Sequence, residues 1–132
     1  MTRQEIKPTY ATFEQSKWLK DKGFDIPTLY CYLEDGTIQY SSGDEFDSES
    51  YNHNSWDNYS MAEQWQVVEW LFLNHHLWVS VDNLIDNKFY FSIRYTNTSN
   101  YASRTGCNED GYNSPQEAYS AAFDFIKQNS LI

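Results

Sequence analysis

Lysine and arginine are scarce in this 132-residue chain, nine against nineteen aspartate and glutamate, which leaves a formal charge of -10. Affinity for nucleic acid rests on cations that neutralise phosphates, so direct binding to a nucleic-acid backbone is excluded. Long apolar runs are missing as well. No stretch approaches the roughly 18 consecutive apolar residues of a membrane span, and the opening MTRQEIKPTY lacks the apolar core of a secretory signal. The expectation is a cytoplasmic protein with no membrane association. Cysteine is limited to Cys31 and Cys107, which have neither the number nor the spacing of a disulfide framework or a zinc site, so free thiols are expected. Without a secretory signal, the sequons Asn58-Tyr59-Ser60 and Asn97-Thr98-Ser99 read as chance matches.

What the chain does have is aromatic surface. Eleven Tyr, eight Phe and five Trp, within a 40% apolar composition, can bury enough area to offset chain entropy, which disordered compositions cannot. Residues 1–132 are therefore expected to form one compact domain, because either half alone would be too small for a sound core. Charge is unevenly spread. Residues 1–25 hold five basic and four acidic side chains, and the remainder holds four basic and fifteen acidic. The negative field belongs to the body of the domain, where it favours solubility and basic partners.

After an N-terminal arm over 1–11, Thr12-x-x-Gln15 is a capping box and Gly23 a left-handed stop, which predicts a helix from Thr12 to Lys22. Phe13, Trp18, Leu19 and Phe24 are its anchors. Ile26 to Leu33 is rich in Tyr and apolar residues, and Asp35-Gly36 signals a hairpin turn before Thr37 to Ser41. Residues 42–59 break all periodicity and carry five acids with no Lys or Arg, yet contain Phe46, Tyr51, Trp56 and Tyr59. This acidic aromatic loop is one expected interaction site, since aromatic rings are costly to leave in water.

Ser60 with Glu63 reads as a second capping box, opening the helix MAEQWQVVEWLFLNH. At about 100° per residue, Met61, Trp65, Val68 and Phe72 form one stripe while Val67, Trp70 and Leu71 form another. A helix apolar around so much of its girth must be covered on more than one side. Leu77 to Asp82 and Phe89 to Tyr95 alternate as a second hairpin with a turn at Asp86-Asn87. A polar loop follows over 96–113, with a short edge strand near Tyr101. Ser114, Pro115 and Glu117 then start a last helix running to about Gln128. The order α-β-β-α-β-β-α predicts an α+β fold, an antiparallel sheet with helices packed mainly on one face.

Thr12-Phe13 with Trp18-Leu19-Lys20, Lys22-Gly23-Phe24, Val68-Glu69-Trp70-Leu71 with His75, the strand from Trp78 to Val81, and Ser114-Pro115-Gln116-Glu117-Ala118 together form a layout. It resembles a set of small uncharacterised proteins encoded by bacteriophages and prophages of Bacteroides-type hosts. The resemblance covers most of the chain and implies a phage or mobile-element origin and a similar fold. Its landmarks are packing and capping features, so no catalytic residue transfers with it. Where many of those proteins carry Arg after the Trp-Leu pair, this chain has Phe72. That departure assigns Trp65, Val68 and Phe72 to the surface and turns Val67, Trp70 and Leu71 inward.

Catalytic signatures are not found. His75-His76, with His53, could supply metal ligands, but adjacent histidines in an extended stretch point apart, and a histidine closing a helix serves its carbonyls and dipole. Asp44, Glu45, Asp47 and Glu49 lack the spacing of a calcium loop. Cys31 reads as a small core residue, and Cys107 has no adjacent base to make it a thiolate. No nucleophile elbow or phosphate-cradling glycine loop occurs, and Glu63 with Glu69 or Asp82 with Asp86 assigns no acid and base roles.

The expected function is thus a non-enzymatic, cofactor-free protein-binding module, an accessory factor that engages a host or phage protein, with a homodimer as one version. Phe46, Trp56, Trp65, Trp70 and Phe72 are the expected contact residues, because aromatic rings supply contact area at low entropic cost. An inhibitor of a host defence factor fits this class, and an acidic nucleic-acid mimic is a special case. The alternative is a protein that sequesters a small nucleotide, with Lys88, Arg94 and Arg104 holding phosphate and Tyr95 and Tyr101 stacking the base. A pocket gathering Arg94 or Arg104 with aromatic rings supports the ligand reading, and an exposed aromatic patch supports a protein partner.

Overall fold

The computed structural model describes residues 6–40, 51–55, 57–83, 85–98 and 111–132, and the backbone of 103–106. Phe46, Trp56 and Tyr101, residues 42–50 of the acidic loop, and Cys107 lie outside the described residues.

Helix α1, Phe13–Asp21, begins as its capping box requires. The Gln15 N–H donates to Thr12 Oγ1 at 3.1 Å, and the Thr12 N–H donates to Gln15 Oε1 at 3.0 Å. Beyond its end Gly23 takes φ +90°, a conformation that strains any residue with a Cβ, and the Phe24 N–H turns back to the Leu19 carbonyl. That reversal drives Phe24 into the core. Strands β1, Tyr30–Tyr32, and β2, Ile38–Tyr40, form the first hairpin, with the Thr37 N–H held by Asp35 Oδ1 in the turn.

The second helix starts later than Ser60 suggests. Ser60 is instead part of a two-residue strand β3, Tyr59–Ser60, in which it pairs with Cys31. The chain from Met61 to Glu63 then stays extended, because the Met61 N–H donates to Tyr30 O and the Gln64 N–H to Thr9 O. Glu63 becomes the cap of α2, Gln64–His75, and Gln66 reaches back to accept its N–H at 2.9 Å. The same pairing builds the end of the N-terminal arm into the fold: Tyr10 bridges Glu63, and Ala11 is buried under the Tyr32 hydroxyl, which donates to its carbonyl.

His76 takes a left-handed φ of 54° and turns α2 directly into β4, Leu77–Asn83. Its partner β5, Phe89–Tyr95, pairs along its whole length, from Leu77 opposite Tyr95 to Asn83 opposite Phe89. Asp86 and Asn87 in the turn both have positive φ, the type I′ geometry that matches strand twist. β6, Ser103–Gly106, adds an edge strand to β5. In α3, Pro115–Gln128, the Ser114 hydroxyl accepts from the Glu117 N–H as expected, but the Glu117 carboxylate takes the N–H of Asn113 instead of closing the box on Ser114.

The result is an α+β fold in the expected element order, with β3 and β6 added. Its strands fall into two antiparallel sheets of three, ordered β2-β1-β3 and β4-β5-β6, where one sheet was expected. β3 closes the first hairpin on its far side, and α2 separates it from the second. α2 and α3 pack on one face of the second sheet, against Leu77, Val79, Phe91 and Ile93. Val67, Trp70 and Leu71 of α2 meet Phe123 and Ile126 of α3 and Leu19 of α1 in that core. Trp70 lies edge-to-face with Phe24, ring centroids 5.3 Å apart.

One buried polar group ties α1 to α3. The Gln15 amide nitrogen lies 3.0 Å from Ser120 O, Ser120 Oγ and Asp124 Oδ1, while its oxygen completes the α1 cap. Gln15→Leu keeps the volume but removes the donor, leaving acceptors desolvated and uncapped, and should cost about 1–3 kcal/mol in urea unfolding. Trp70→Ala should cost about 3–5 kcal/mol in the same experiment, since the core cannot close over a lost indole.

Candidate functional site

A helical period of 3.6 fixes what happens when Val67, Trp70 and Leu71 are buried: positions 65, 69, 72 and 73 face away and position 68 lies on the flank. Trp70 is only 3% exposed, whereas Trp65 is 60%, Phe72 40% and Leu73 69% exposed. The outward assignment made from the sequence holds for Trp65 and Phe72, while Val68 is half-buried against the core. Trp70, also named there as a contact residue, does not reach the surface, because its ring is enclosed by Phe24 and by His75 at 4.8 Å.

The first turns of α2 and α3 are joined by Gln64, whose amide donates to the Gln116 carbonyl at 2.9 Å. Just beyond that tie the helix surfaces enclose a groove of about 330 Å³ lined by Gln64, Trp65, Val68, Glu69 and Tyr119. Trp65 is held at its mouth by an indole N–H donated to Glu63 Oε2 at 2.8 Å, a charge-assisted bond that orients the ring. Val68 is followed one turn later by Phe72, and Phe72 meets Trp78 of β4 edge-to-face at 5.7 Å. Apolar surface thus runs from the groove along α2 to β4, the edge strand of its sheet, where Trp78 is 36% exposed. Leu29, Ile38, Tyr40 and Tyr51 form a separate set of exposed apolar side chains on and beside the first sheet.

Electrostatics favour one sign of partner. Between Lys22 and Lys88 the chain has twelve Asp and Glu residues and no Lys or Arg. Glu69 stands in the groove wall and Glu63 beside it. The cations named for phosphate belong to the second hairpin and β6. Arg94 sits on β5 opposite Trp78, and Arg104 occupies the β6 position opposite Ile93. Lys88 donates to Asn113 Oδ1 at the far hairpin, and the Tyr95 hydroxyl donates to the Leu131 carbonyl behind the sheet. Neither Lys88 nor Arg94 lines the groove. Trp78, Leu73 and Tyr119 belong to the surface but were not singled out from sequence. Trp78 had a signal, an aromatic at an outward position of an alternating strand, whereas Tyr119 reaches the groove only through tertiary packing.

No group of three or more potential metal-ligating side chains occurs among the described residues. Burial pushes the Cys31 thiol up, away from a reactive thiolate, in keeping with a core role. Glu63 also helps burial raise the Tyr10 hydroxyl, though burial has the larger effect. His53 is buried, its Nε2 3.2 Å from the Thr28 carbonyl, and His75 lies edge-to-face with Trp70 with Nε2 unpartnered, so His75 packs a core ring and caps no carbonyl. Burial depresses both imidazoles, and the nearby Lys22 charge further depresses His75.

No family model, curated protein or solved structure matches the chain.

Both histidines favour the neutral ring in the fold. Below the ordinary value of 6.5 the unfolded chain takes up protons that the folded one resists, so stability falls as pH drops through that value. Asp35, held below its usual 3.8 by the Thr37 N–H and hydroxyl, acts only at lower pH. Urea midpoints between pH 7.5 and 5 should decline, and the decline should be shallower in His53→Gln.

Proposed function

We propose that the chain is a non-enzymatic protein-binding module whose contact surface is the outward face of α2 with the groove beside α3. The observation that carries this reading is the run of exposed rings Trp65, Phe72 and Trp78, with half-buried Val68 between the first two. The three exposed rings contribute little to the core, and a fold gains nothing from keeping two tryptophans in water. Large rings placed beside a groove and rimmed by charge are the composition of an interface centre. The resemblance to phage-encoded proteins supports a host component as partner, and inhibition of a defence factor is the role such binding would serve. Nucleotide capture is less well supported, since Glu69 in the groove opposes phosphate and Lys88 and Arg94 lie apart from it.

The test places the photoreactive residue p-benzoylphenylalanine at Trp65 and irradiates the producing cells. One dominant protein adduct is expected, and Phe72→Asp in the same chain should lower its yield at least about tenfold, the loss typical of a central interface residue. Circular dichroism should show Phe72→Asp folded, because Phe72 is not part of the core. No adduct, or a yield indifferent to Phe72→Asp, overturns the reading.

A further inference from the structure

Resting on that proposed contact surface, we infer that the groove between α2 and α3 receives a basic amphipathic helix of the partner. The walls decide the secondary structure of the occupant. Both are helices whose ladder groups are bonded within themselves, and the Gln64 N–H of the first turn is taken by the Thr9 carbonyl, so the groove offers side-chain contacts and no strand edge. An extended peptide laid there would lose water from its own N–H and C=O groups without replacement, whereas a helix brings those bonds with it. The spacing agrees. Trp65, Val68 and Phe72 stand one above another over about 10 Å of α2 at 1.5 Å per residue, matching apolar side chains at i, i+3 or i+4, and i+7 of an occupant.

Charge decides its sign. Glu69 lines the groove and Glu63 borders it, and residues 23–87 contain no Lys or Arg. The indole N–H of Trp65 is committed to Glu63 and cannot serve a carboxylate or phosphate of the occupant. Lys or Arg flanking the apolar stripe of the incoming helix would meet Glu63 and Glu69, and Asp or Glu there would be repelled. A second copy of this chain would bring the same two carboxylates and another charge of -10 to the contact, which disfavours self-pairing.

A displayed library of helix-forming peptides tests this, with an i, i+3/i+4, i+7 apolar stripe fixed and flanking positions drawn equally from Lys, Arg, Glu, Asp and Gln. It is selected on the full chain and counter-selected on Trp65→Glu. Selected sequences should favour Lys plus Arg over Asp plus Glu at least about threefold, and the best peptide should bind at least about tenfold more tightly than its charge-reversed counterpart, with the difference shrinking in high salt. Trp65→Ala, which removes an exposed ring and leaves the core intact, should weaken that peptide about tenfold. A pool without charge bias, or peptides that bind Trp65→Ala as well as the native chain, overturns the inference. Should no peptide emerge while the Trp65 crosslinker still captures a protein, the helical occupant fails and the contact surface stands; should both fail, both fall. Light scattering that shows a dimer dissolved by Phe72→Asp would make a second copy the occupant and equally overturn the inference.

Discussion

The packing of Trp70 between Phe24, His75 and the second sheet fixes the rotation of α2 about its own axis. Once that indole, with Val67 and Leu71, is turned inward, the helical period leaves no freedom over what faces out. The outward positions could have been filled with glutamate or lysine at no cost to the core. Around the exposed Glu69 they hold Trp65, Phe72 and Leu73 instead, with Val68 half-buried at their flank. Burial therefore accounts for one half of the helix and leaves the other half without a folding explanation. That asymmetry is the physical ground for reading the outer half as a recognition surface.

Features that depend on a few neighbouring residues were legible in the sequence. Thr12 and Gln15 satisfy each other across one turn, Asp35-Gly36 closes a hairpin, Asp86-Asn87 tolerates the left-handed turn, and Ser114-Pro115 opens α3, each through chemistry contained in a short segment. The division of α2 into inner and outer stripes was legible for a related reason, since periodicity alone separates Trp70 from Trp65. Naming Trp70 as a contact residue nonetheless weighed its size over its place in the inward stripe. Features that depend on distant partners were not legible. Tyr59 and Ser60 have no strand signal of their own and become β3 only because β1 has an open edge at Cys31. For the same reason Ser60 could not act as the helix cap its sequence context suggested: its backbone was already in a sheet. Tyr119 joins Trp65 in the groove through the Gln64 tie, a contact no local pattern announces.

Gln15 and Gln64 show how the fold holds that groove in shape. Each carries a buried amide from one helix to α3, Gln15 from α1 and Gln64 from α2, and each binds α3 backbone or side-chain oxygen. A buried amide network tolerates little sliding, because a displaced donor leaves desolvated acceptors behind. The groove walls are accordingly set by polar bonds at specific positions, while apolar packing supplies the bulk of the cohesion. A preorganised groove of this kind spares the binding free energy that ordering a loose surface would consume.

The acidity of the chain and its exposed rings belong to one argument. An apolar stripe bearing two tryptophans and a phenylalanine would by itself invite association between copies, since hydrophobic contact does not discriminate among partners. A charge of -10, with no cation between Lys22 and Lys88, opposes that association at every approach of two like surfaces. Under the proposal, the same field draws a positively charged partner toward the stripe and raises the encounter rate. On the proposed reading, the carboxylates at Glu63 and Glu69 therefore act twice: they exclude the chain itself from its own contact surface, and they select the sign of the partner that may enter. Specificity here comes as much from whom the surface repels as from what its rings attract.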